Sequence, residues 1–229
     1  MDLLGNDDLA EISTWADGIK RERTESNAWH FVDIPWNASG FDQQRDCYHP
    51  NRRSAASLAD HHNCIVDRIA MFETVLADPH AARPDRVEAL TFLVHLVADV
   101  HQPLHTIAEA HGGNDVPIVQ FGRTQCGSRP YDLHGAWDIG LIGHSRRSER
   151  EYVRQLEELV SRERLDRQPE GTPEQWANQS FHIARDVWLQ EGAAVDEAYY
   201  RRSIQIVDEQ LARAGIRLAD LLNAALGKR

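Results

Sequence analysis

The sequence predicts an all-α protein, a single multi-helix domain over residues 1–229 with a small hairpin near 112–122. Most of the chain divides into stretches whose apolar residues recur at helical spacing. Only the run DVPIVQFG, behind a GGN turn, has a β-like composition. No repeat or linker divides the 229 residues, and 41% of them are hydrophobic, which is enough to form one buried core.

The N-terminal part alternates between helical and irregular sequence. Apolar residues at helical spacing predict helical structure over 8–24, whereas the prolines and glycine of 25–54 are typical of a loop. A further helix is predicted over 55–77, ending before Pro79.

The next segment, RPDRVEALTFLVHLVADVHQ, predicts the central helix. Pro84 is a helix-start signal, and Pro103 is a stop signal. Because the residues between these prolines are strongly apolar, we expect this helix to lie at the centre of the domain.

Helical sequence also dominates the C-terminal half. We predict a helix from near Trp137 and an exposed, charge-laced helix over 148–165. Thr172, followed by proline and glutamate, opens another helix by its capping pattern. The last stretch, 193–226, predicts one or two amphipathic helices broken near Gly215.

The net charge of −11 excludes a nucleic-acid binder that works by overall positive charge. An acidic protein that handles phosphates needs positive charge locally, and bound metal ions are one source of it. No run approaches the roughly 20 apolar residues of a membrane span. Acidic residues follow Met1, so we expect no signal peptide within this chain.

The chain has three cysteines, Cys47, Cys64 and Cys126, and an odd number is not a complete disulfide framework. Their spacing leaves two interpretations equally open. Either Cys47 and Cys64 form one bridge around a short polar loop, or all three are reduced thiols.

Two histidine–aspartate pairs have a spacing suited to metal binding. His95 and Asp99 are four residues apart in the central helix and therefore share one face, and His134 and Asp138 repeat this spacing. His105 follows just beyond the predicted end of the central helix, where its side chain can point in a different direction.

Asp17 and His30 offer further donors upstream. Zinc readily takes this mixture of nitrogen and carboxylate ligands, and no cysteine stands at a ligand spacing. One such pair alone is more often a hydrogen-bonded histidine than a ligand. Burying His95 and Asp99 among leucine, valine and alanine would however cost several kcal/mol if nothing satisfied them. The residues therefore favour a metal site over a structural role.

Four segments, in this order along the chain, resemble the S-one/P-one family of zinc-dependent single-strand nucleases, which are relatives of bacterial zinc phospholipase C. The segments are LVHLVADVHQPLHT, GGND, DLHGAWD and, near the end, AGIRLADLLNAAL. The resemblance runs from about Leu9 to the end of the chain. It implies the all-α fold of the phospholipase C and nuclease P-one type.

The resemblance implies a cluster of three zinc ions. It assigns Asp17, His30, His95 and Asp99 to the first ion, with Asp99 bridging to the third, and His105, His134 and Asp138 to the second. The family's other ligands for the third ion are an N-terminal Trp and a His soon after it, and this sequence has no match for either. We therefore expect the chain to lack an N-terminal segment, and its full activity to be reduced.

The resemblance also implies substrate-binding residues. Lys20 matches a basic residue near the scissile phosphate, although by itself it would be a solvated surface lysine. Phe31 matches an aromatic residue that stacks on a base, and Asp33 matches an acidic residue that hydrogen-bonds to that base. A loop beside the same pocket is matched by Gly112, Gly113 and Asn114.

The other histidines are predicted to have no part in metal binding. His101 lies within the family motif but is expected to be structural. The remaining ones are interpreted as surface or core histidines without a partner at ligand spacing: His49, His61, His62, His80, His111, His144 and His182.

The implied activity is zinc-dependent hydrolysis of single-stranded DNA or RNA, with 3′-nucleotides as further substrates and 5′-phosphates as products. Asp17 and Lys20 are the expected catalytic residues. Two alternatives stay open, a phospholipase C-like phosphodiesterase and a non-catalytic zinc-binding remnant. We expect a monomer, and a secreted or periplasmic location for the intact gene product.

Overall fold

The fold was analysed in a computed structural model that describes residues 3–5, 8–47, 63–168 and 171–227. It confirms the predicted all-α class. The α-helices are α1 (Leu9–Ile12), α2 (Trp15–Gly18), α3 (Gln43–Asp46), α4 (Ile65–Ala77), α5 (Arg83–Asp99), α6 (Leu133–Gly135), α7 (Leu141–His144), α8 (Glu149–Glu163), α9 (Pro173–Asp186) and α10 (Glu197–Gly227). A π-helix, Ala136–Gly140, joins α6 to α7, and 3₁₀ helices cover Ile19–Arg21, Thr24–His30, Pro103–Thr106, Glu109–His111 and Leu165–Arg167.

Helix α5 is the central helix, as predicted. Proline occupies its first turn, and all residues from Ala89 to Val97 are buried. The ring of Phe92 stacks on Phe72 of α4 at 4.6 Å between centroids. Burial on all sides explains why this helix is apolar around its whole circumference rather than along one stripe.

Helix α10 is unbroken, so the predicted break near Gly215 is wrong. A glycine inside a helix costs roughly 1 kcal/mol relative to alanine. Packing on both sides of Gly215 offsets this cost, because Ala214 and Arg217 are buried. The Arg217 guanidinium donates to Nε2 of His101 at 2.7 Å, which joins α10 to the segment just beyond α5.

The N-terminal predictions were partly wrong. The helical stretch predicted over 8–24 is divided into α1, α2 and a 3₁₀ helix, because Ser13 and Thr14 interrupt the α-helical pattern. The loop predicted over 25–54 contains the 3₁₀ helix Thr24–His30 and α3. Of the helix predicted over 55–77, α4 confirms the part from Ile65 onward, and positions 55–62 lie outside the described residues.

The C-terminal predictions were mostly confirmed. A helix covers most of the predicted 148–165 as α8, and Thr172 opens α9 through a capping box with Gln175. The helix expected near Trp137 begins earlier, at Leu133, because the Asp132 side chain accepts from the Gly135 amide as an N-cap.

The hairpin was predicted in the wrong place. The β-like run forms strand β1 (Val119–Gln120), which pairs in parallel with the distant strand β4 (Ala194–Val195). The antiparallel hairpin lies further along, where β2 (Gln125–Cys126) pairs with β3 (Arg129–Pro130). The GGN turn does not close a hairpin, because its glycines carry the chain from a 3₁₀ helix into an extended segment.

Cys47 and Cys64 form a disulfide, which decides between the two interpretations of the cysteines. Both are buried in the core, whereas Cys126 is an exposed free thiol on β2. A disulfide is typical of proteins from oxidising compartments. Among the described residues, no helix combines the length and apolar composition needed to cross a membrane.

Candidate metal centre

The first group of candidate ligands, Asp17, His30 and His95, is assembled from three elements. Asp17 lies on α2, His30 ends a 3₁₀ helix and His95 lies on α5. Oδ1 of Asp17 is 3.8 Å from Nδ1 of His30 and 3.6 Å from Nε2 of His95. The donor atoms of the three residues lie within 4.8 Å of one another, close enough to hold one ion.

The second group contains His105, His134 and Asp138. Nε2 of His105 and Nε2 of His134 each lie 3.4 Å from a different carboxylate oxygen of Asp138. The two imidazole rings stack with 5.0 Å between their centroids. Asp138 lies in the π-helix one turn after His134, so the predicted four-residue spacing does place both side chains on one face.

Asp99 lies between the two groups. Its Oδ2 is 2.9 Å from Nδ1 of His30 and 3.0 Å from Nε2 of His95, and its Oδ1 is 3.5 Å from Nδ1 of His105. Burial acts to raise the pKa of Asp99, but the three imidazoles outweigh it and hold the pKa well below the usual range. Asp99 is therefore ionised throughout the physiological pH range and faces both groups.

Backbone carbonyls orient two of the imidazoles. Nδ1 of His95 donates to the Ser13 carbonyl at 2.6 Å, and Nδ1 of His134 donates to the Gly112 carbonyl at 2.8 Å. The proton is thereby assigned to Nδ1, which leaves the lone pair of each Nε2 pointing toward carboxylates. A carbonyl that orients a ligating histidine in this way is usual around protein metal sites.

Gly112 has a backbone conformation that side chains disfavour. Its φ is +64°, and a Cβ at this position would lie 2.5 Å from the Leu104 carbonyl oxygen. The glycine lets the loop approach α6 closely enough for its carbonyl to reach His134. The GGN segment therefore helps to orient a candidate ligand.

Three buried ring nitrogens in the centre, Nε2 of His30, Nε2 of His95 and Nδ1 of His105, make no hydrogen bond of good geometry among the described residues, although Nε2 of His95 lies 3.0 Å from Oδ2 of Asp99. Leaving such an atom unsatisfied costs about 1–3 kcal/mol. Burial lowers the pKa of His30, despite its hydrogen bond with Asp99, so this ring is neutral, as a metal ligand must be. A divalent cation would satisfy lone pairs and carboxylates together, so the donor set fits zinc.

Burial also acts to lower the pKa values of His95 and His105, but the carboxylates of Asp99 and, for His105, Asp138 outweigh it and raise them. Without metal these rings tend to take up a proton. A proton and a cation would therefore compete for the same nitrogens.

The centre opens into a cavity of about 590 Å³. The cavity is lined by all the candidate ligands except His95. It is also lined by five of the residues expected to act in catalysis or substrate binding, namely Lys20, Phe31, Asp33, Gly112 and Asn114. Nζ of Lys20 lies 2.6 Å from Oδ1 of Asp17. Gly113 does not line the cavity, because it lies against Leu133 and the backbone of His134.

Sequence reasoning missed Gln102, which lies within the family motif. Its Nε2 donates to Oδ1 of Asp138 at 2.6 Å, and its Oε1 accepts from the Leu104 amide at 2.6 Å. The carboxamide therefore holds a candidate ligand from the side. No local spacing could have indicated this contact, because 36 residues separate Gln102 from Asp138.

The interpretation of His111 as lacking a partner at ligand spacing was wrong. His111 and Asp115 form a third pair four residues apart, with 2.5 Å between Nδ1 and Oδ2. His111 lines the cavity, but both side chains are largely exposed and neither belongs to the two ligand groups. The four-residue spacing is visible in the sequence, but the contact forms in a turn with positive φ at His111, Gly112 and Gly113 and not on a helix face.

Among the described residues, none of the other histidines belongs to either ligand group. Both ring nitrogens of His101 have partners, since Nδ1 donates to the Val97 carbonyl and Nε2 accepts from Arg217. His144 contacts Glu197, and His182 contacts Arg185. His49, His61 and His62 lie outside the described residues.

Comparisons with known proteins identify the family of the chain. The family model described as S1/P1 Nuclease matches residues 2–227. Nuclease S1 of Aspergillus oryzae is 28% identical over 253 residues, which cover 96% of this chain and 81% of the relative. Nuclease P1 of Penicillium citrinum is 27% identical over 250 residues, covering 96% and 85%. Endonuclease 2 of Arabidopsis thaliana is 25% identical over 243 residues, covering 96% and 79%. The chain therefore belongs to the S1/P1 nuclease family, whose members are zinc-dependent nucleases.

Proposed function

We propose that this protein hydrolyses phosphodiester bonds of single-stranded nucleic acid with zinc ions held by the two ligand groups. The observation that supports this most strongly is Asp99, whose two oxygens face one group each. One carboxylate between two sets of histidines suits a pair of ions that act on the same phosphate. The relatives named nuclease or endonuclease support the same activity.

The first ion would be held by Asp17, His30, His95 and Asp99. The second would be held by His105, His134 and Asp138. We assign no ligand set for a third ion. The remaining candidate group among the described residues contains Cys47 and Cys64, whose sulfurs are joined in the disulfide and are therefore poor ligands.

Bound zinc would supply Lewis acidity and lower the pKa of water toward 7. The chain's own groups would do the rest. The Asp17 carboxylate is half exposed toward the cavity and is placed to orient the attacking water. The Lys20 ammonium, in contact with Asp17, would stabilise the negative charge that develops on the phosphoryl oxygens.

The proposed substrate-binding residues that line the cavity are Phe31, Asp33, Gly112 and Asn114. Gly113, which packs against Leu133, would hold the loop of Gly112 and Asn114 in place. A base stacked on the ring of Phe31 must be unpaired, which selects single strands. The carboxylate of Asp33, in the same cavity, would accept a hydrogen bond from the edge of that base. Breakage of the bond to the 3′ oxygen would leave 5′-phosphates, and 3′-nucleotides would present the same bond.

The location and assembly state follow from less direct observations. The Cys47–Cys64 disulfide supports a secreted or periplasmic protein, because such bonds persist in oxidising compartments. We also propose that the protein acts as a monomer, because one chain supplies every residue proposed to hold zinc or to bind the substrate.

The direct experiment combines metal analysis with cleavage assays. Protein purified without chelator should contain about two zinc ions per chain, as measured by elemental analysis. It should cleave a single-stranded oligonucleotide much faster than the matched duplex, lose this activity in EDTA and regain it with zinc. Fewer than one zinc per chain would contradict the ligand assignment. Two bound ions without any cleavage would instead favour the non-catalytic alternative.

A further inference from the structure

Part of the cavity is lined by an aliphatic surface that the zinc chemistry does not use. We call it the Ile139 wall, and it consists of Ile139, Ile142, Val207 and Leu211. The side chain of Ile139 is 75% exposed, the most exposed large hydrophobic residue in the described part of the chain. Packing of the core does not account for an isoleucine in this position.

The wall lies directly beside the second ligand group. Ile139 follows Asp138 in the π-helix, and Ile142 lies about one turn after Asp138. Val207 and Leu211 approach from α10, and they are four residues apart and so share one face of that helix. A phosphate bound to an ion held by the second ligand group would therefore bring its next substituent close to the wall.

The chemistry of the wall excludes a phosphate as its occupant. A charged phosphate that lost its water to aliphatic side chains would bear a large desolvation cost. A nucleobase presents a neutral face, and covering an exposed isoleucine with it removes apolar surface from water. The wall is also built from helices other than the segment that carries Phe31 and Asp33.

We propose that the Ile139 wall binds the second nucleobase of the substrate, that of the nucleotide which keeps the 5′-phosphate. The proposal rests on the proposed nuclease function, in which the Phe31 pocket takes the base of the nucleotide that releases its 3′ oxygen. Aliphatic side chains in contact with the face of a base make no hydrogen bonds to its edge. The Ile139 wall would therefore bind the second nucleoside without selecting one base.

The test compares two diesters with the same leaving group. Thymidylyl-(3′→5′)-thymidine carries the second nucleoside, and the methyl ester of thymidine 3′-phosphate does not. In Ile139→Ser, the kcat/KM for the dinucleotide should fall about tenfold relative to that for the methyl ester, and Ile139→Leu should restore most of the loss. Val153→Ser is the matched control, because Val153 is also exposed but lies on α8, outside the cavity.

Two kinetic outcomes would overturn the proposal. Equal losses for the two esters would mean that Ile139 acts on the first base or through Asp138, and a zinc measurement would identify the second case. Unchanged rates for both esters would mean that nothing binds the wall. A parent protein that cleaves neither ester would contradict the proposed function instead. The proposal would then be tested by measuring the binding of the same two esters by calorimetry. If Ile139→Ser left the ratio of the affinity for the dinucleotide to the affinity for the methyl ester unchanged, the proposal would be refuted.

Discussion

Nδ1 of His30 lies 2.9 Å from Oδ2 of Asp99, although 69 residues separate them along the chain. This contact joins the end of a 3₁₀ helix to the end of the central helix and completes the first ligand group. Because Asp99 also faces His105, it links both groups. A change at Asp99 should therefore affect the whole centre.

We predict that Asp99→Asn lowers the apparent zinc affinity more than the ten- to hundredfold that is typical for removing an outer-shell partner. Binding of metal to a folded site is also folding free energy, so the zinc-loaded variant should melt at a lower temperature than the parent. Elemental analysis and thermal unfolding, with and without EDTA, measure both effects. Asp115→Asn is the control, because Asp115 pairs with a histidine outside the two groups. A variant that kept its zinc and melted like the parent would show that Asp99 is not a ligand.

We predict that Lys20→Gln lowers kcat on a single-stranded oligonucleotide about a hundredfold, the typical loss for one charge-stabilising donor. The zinc content should not change, because an ammonium cannot be a ligand. Lys20→Arg should retain part of the rate, since it keeps the charge. Arg162→Gln on the surface of α8 controls for the loss of one positive charge. A parental rate in Lys20→Gln would place the lysine outside the mechanism.

We predict that replacing both Cys47 and Cys64 with alanine lowers the free energy of unfolding by about 3 kcal/mol. The bond closes a loop with a sequence separation of 17, and its loss releases that constraint on the unfolded chain. Urea unfolding of the variant, and of the parent with reductant, measures the change. Cys126→Ala should leave the stability unchanged, because this thiol is exposed and unpaired. Equal stability of the double variant and the parent would count against a structural role for the bond.

A pH-dependent prediction concerns Asp208, a buried carboxyl on α10 that accepts a hydrogen bond from the Tyr152 hydroxyl and another from Gln155. Burial raises the pKa of Asp208, and this outweighs the opposing effect of these hydrogen bonds. The folded protein thus holds this proton more tightly than the unfolded chain. Below about pH 4 the carboxyl is protonated in the folded protein, so it costs no stability. As the pH rises through the pKa of Asp208 in the folded protein, the buried group ionises and the free energy of unfolding should fall.

Asp208→Asn should therefore increase the free energy of unfolding at pH 7 by on the order of 1 kcal/mol, a gain that shrinks as the pH falls toward 4. Urea unfolding of both proteins at a series of pH values measures the difference. The carboxylate would be satisfied in its ionised form if Asp208→Asn were less stable than the parent at pH 7. The same would hold if the difference in the free energy of unfolding between the two proteins did not change with pH.

The sequence by itself determined the parts of this protein that depend on local spacing. Helical periodicity and proline positions located the central helix. The four-residue spacing placed His95 with Asp99 and His134 with Asp138, because residues four apart in a helix share a face whatever surrounds them. The ordered motifs around these pairs also indicated the family.

Only the tertiary structure decided what depends on contacts between distant segments. It joined Cys47 to Cys64, paired β1 with β4, kept α10 continuous through Gly215 and placed Gln102 against Asp138. No local pattern could decide any of these, since each arises when packing of the core brings remote residues together and offsets a local cost. The same packing positions Asp99 between the two ligand groups, so that one carboxylate faces both.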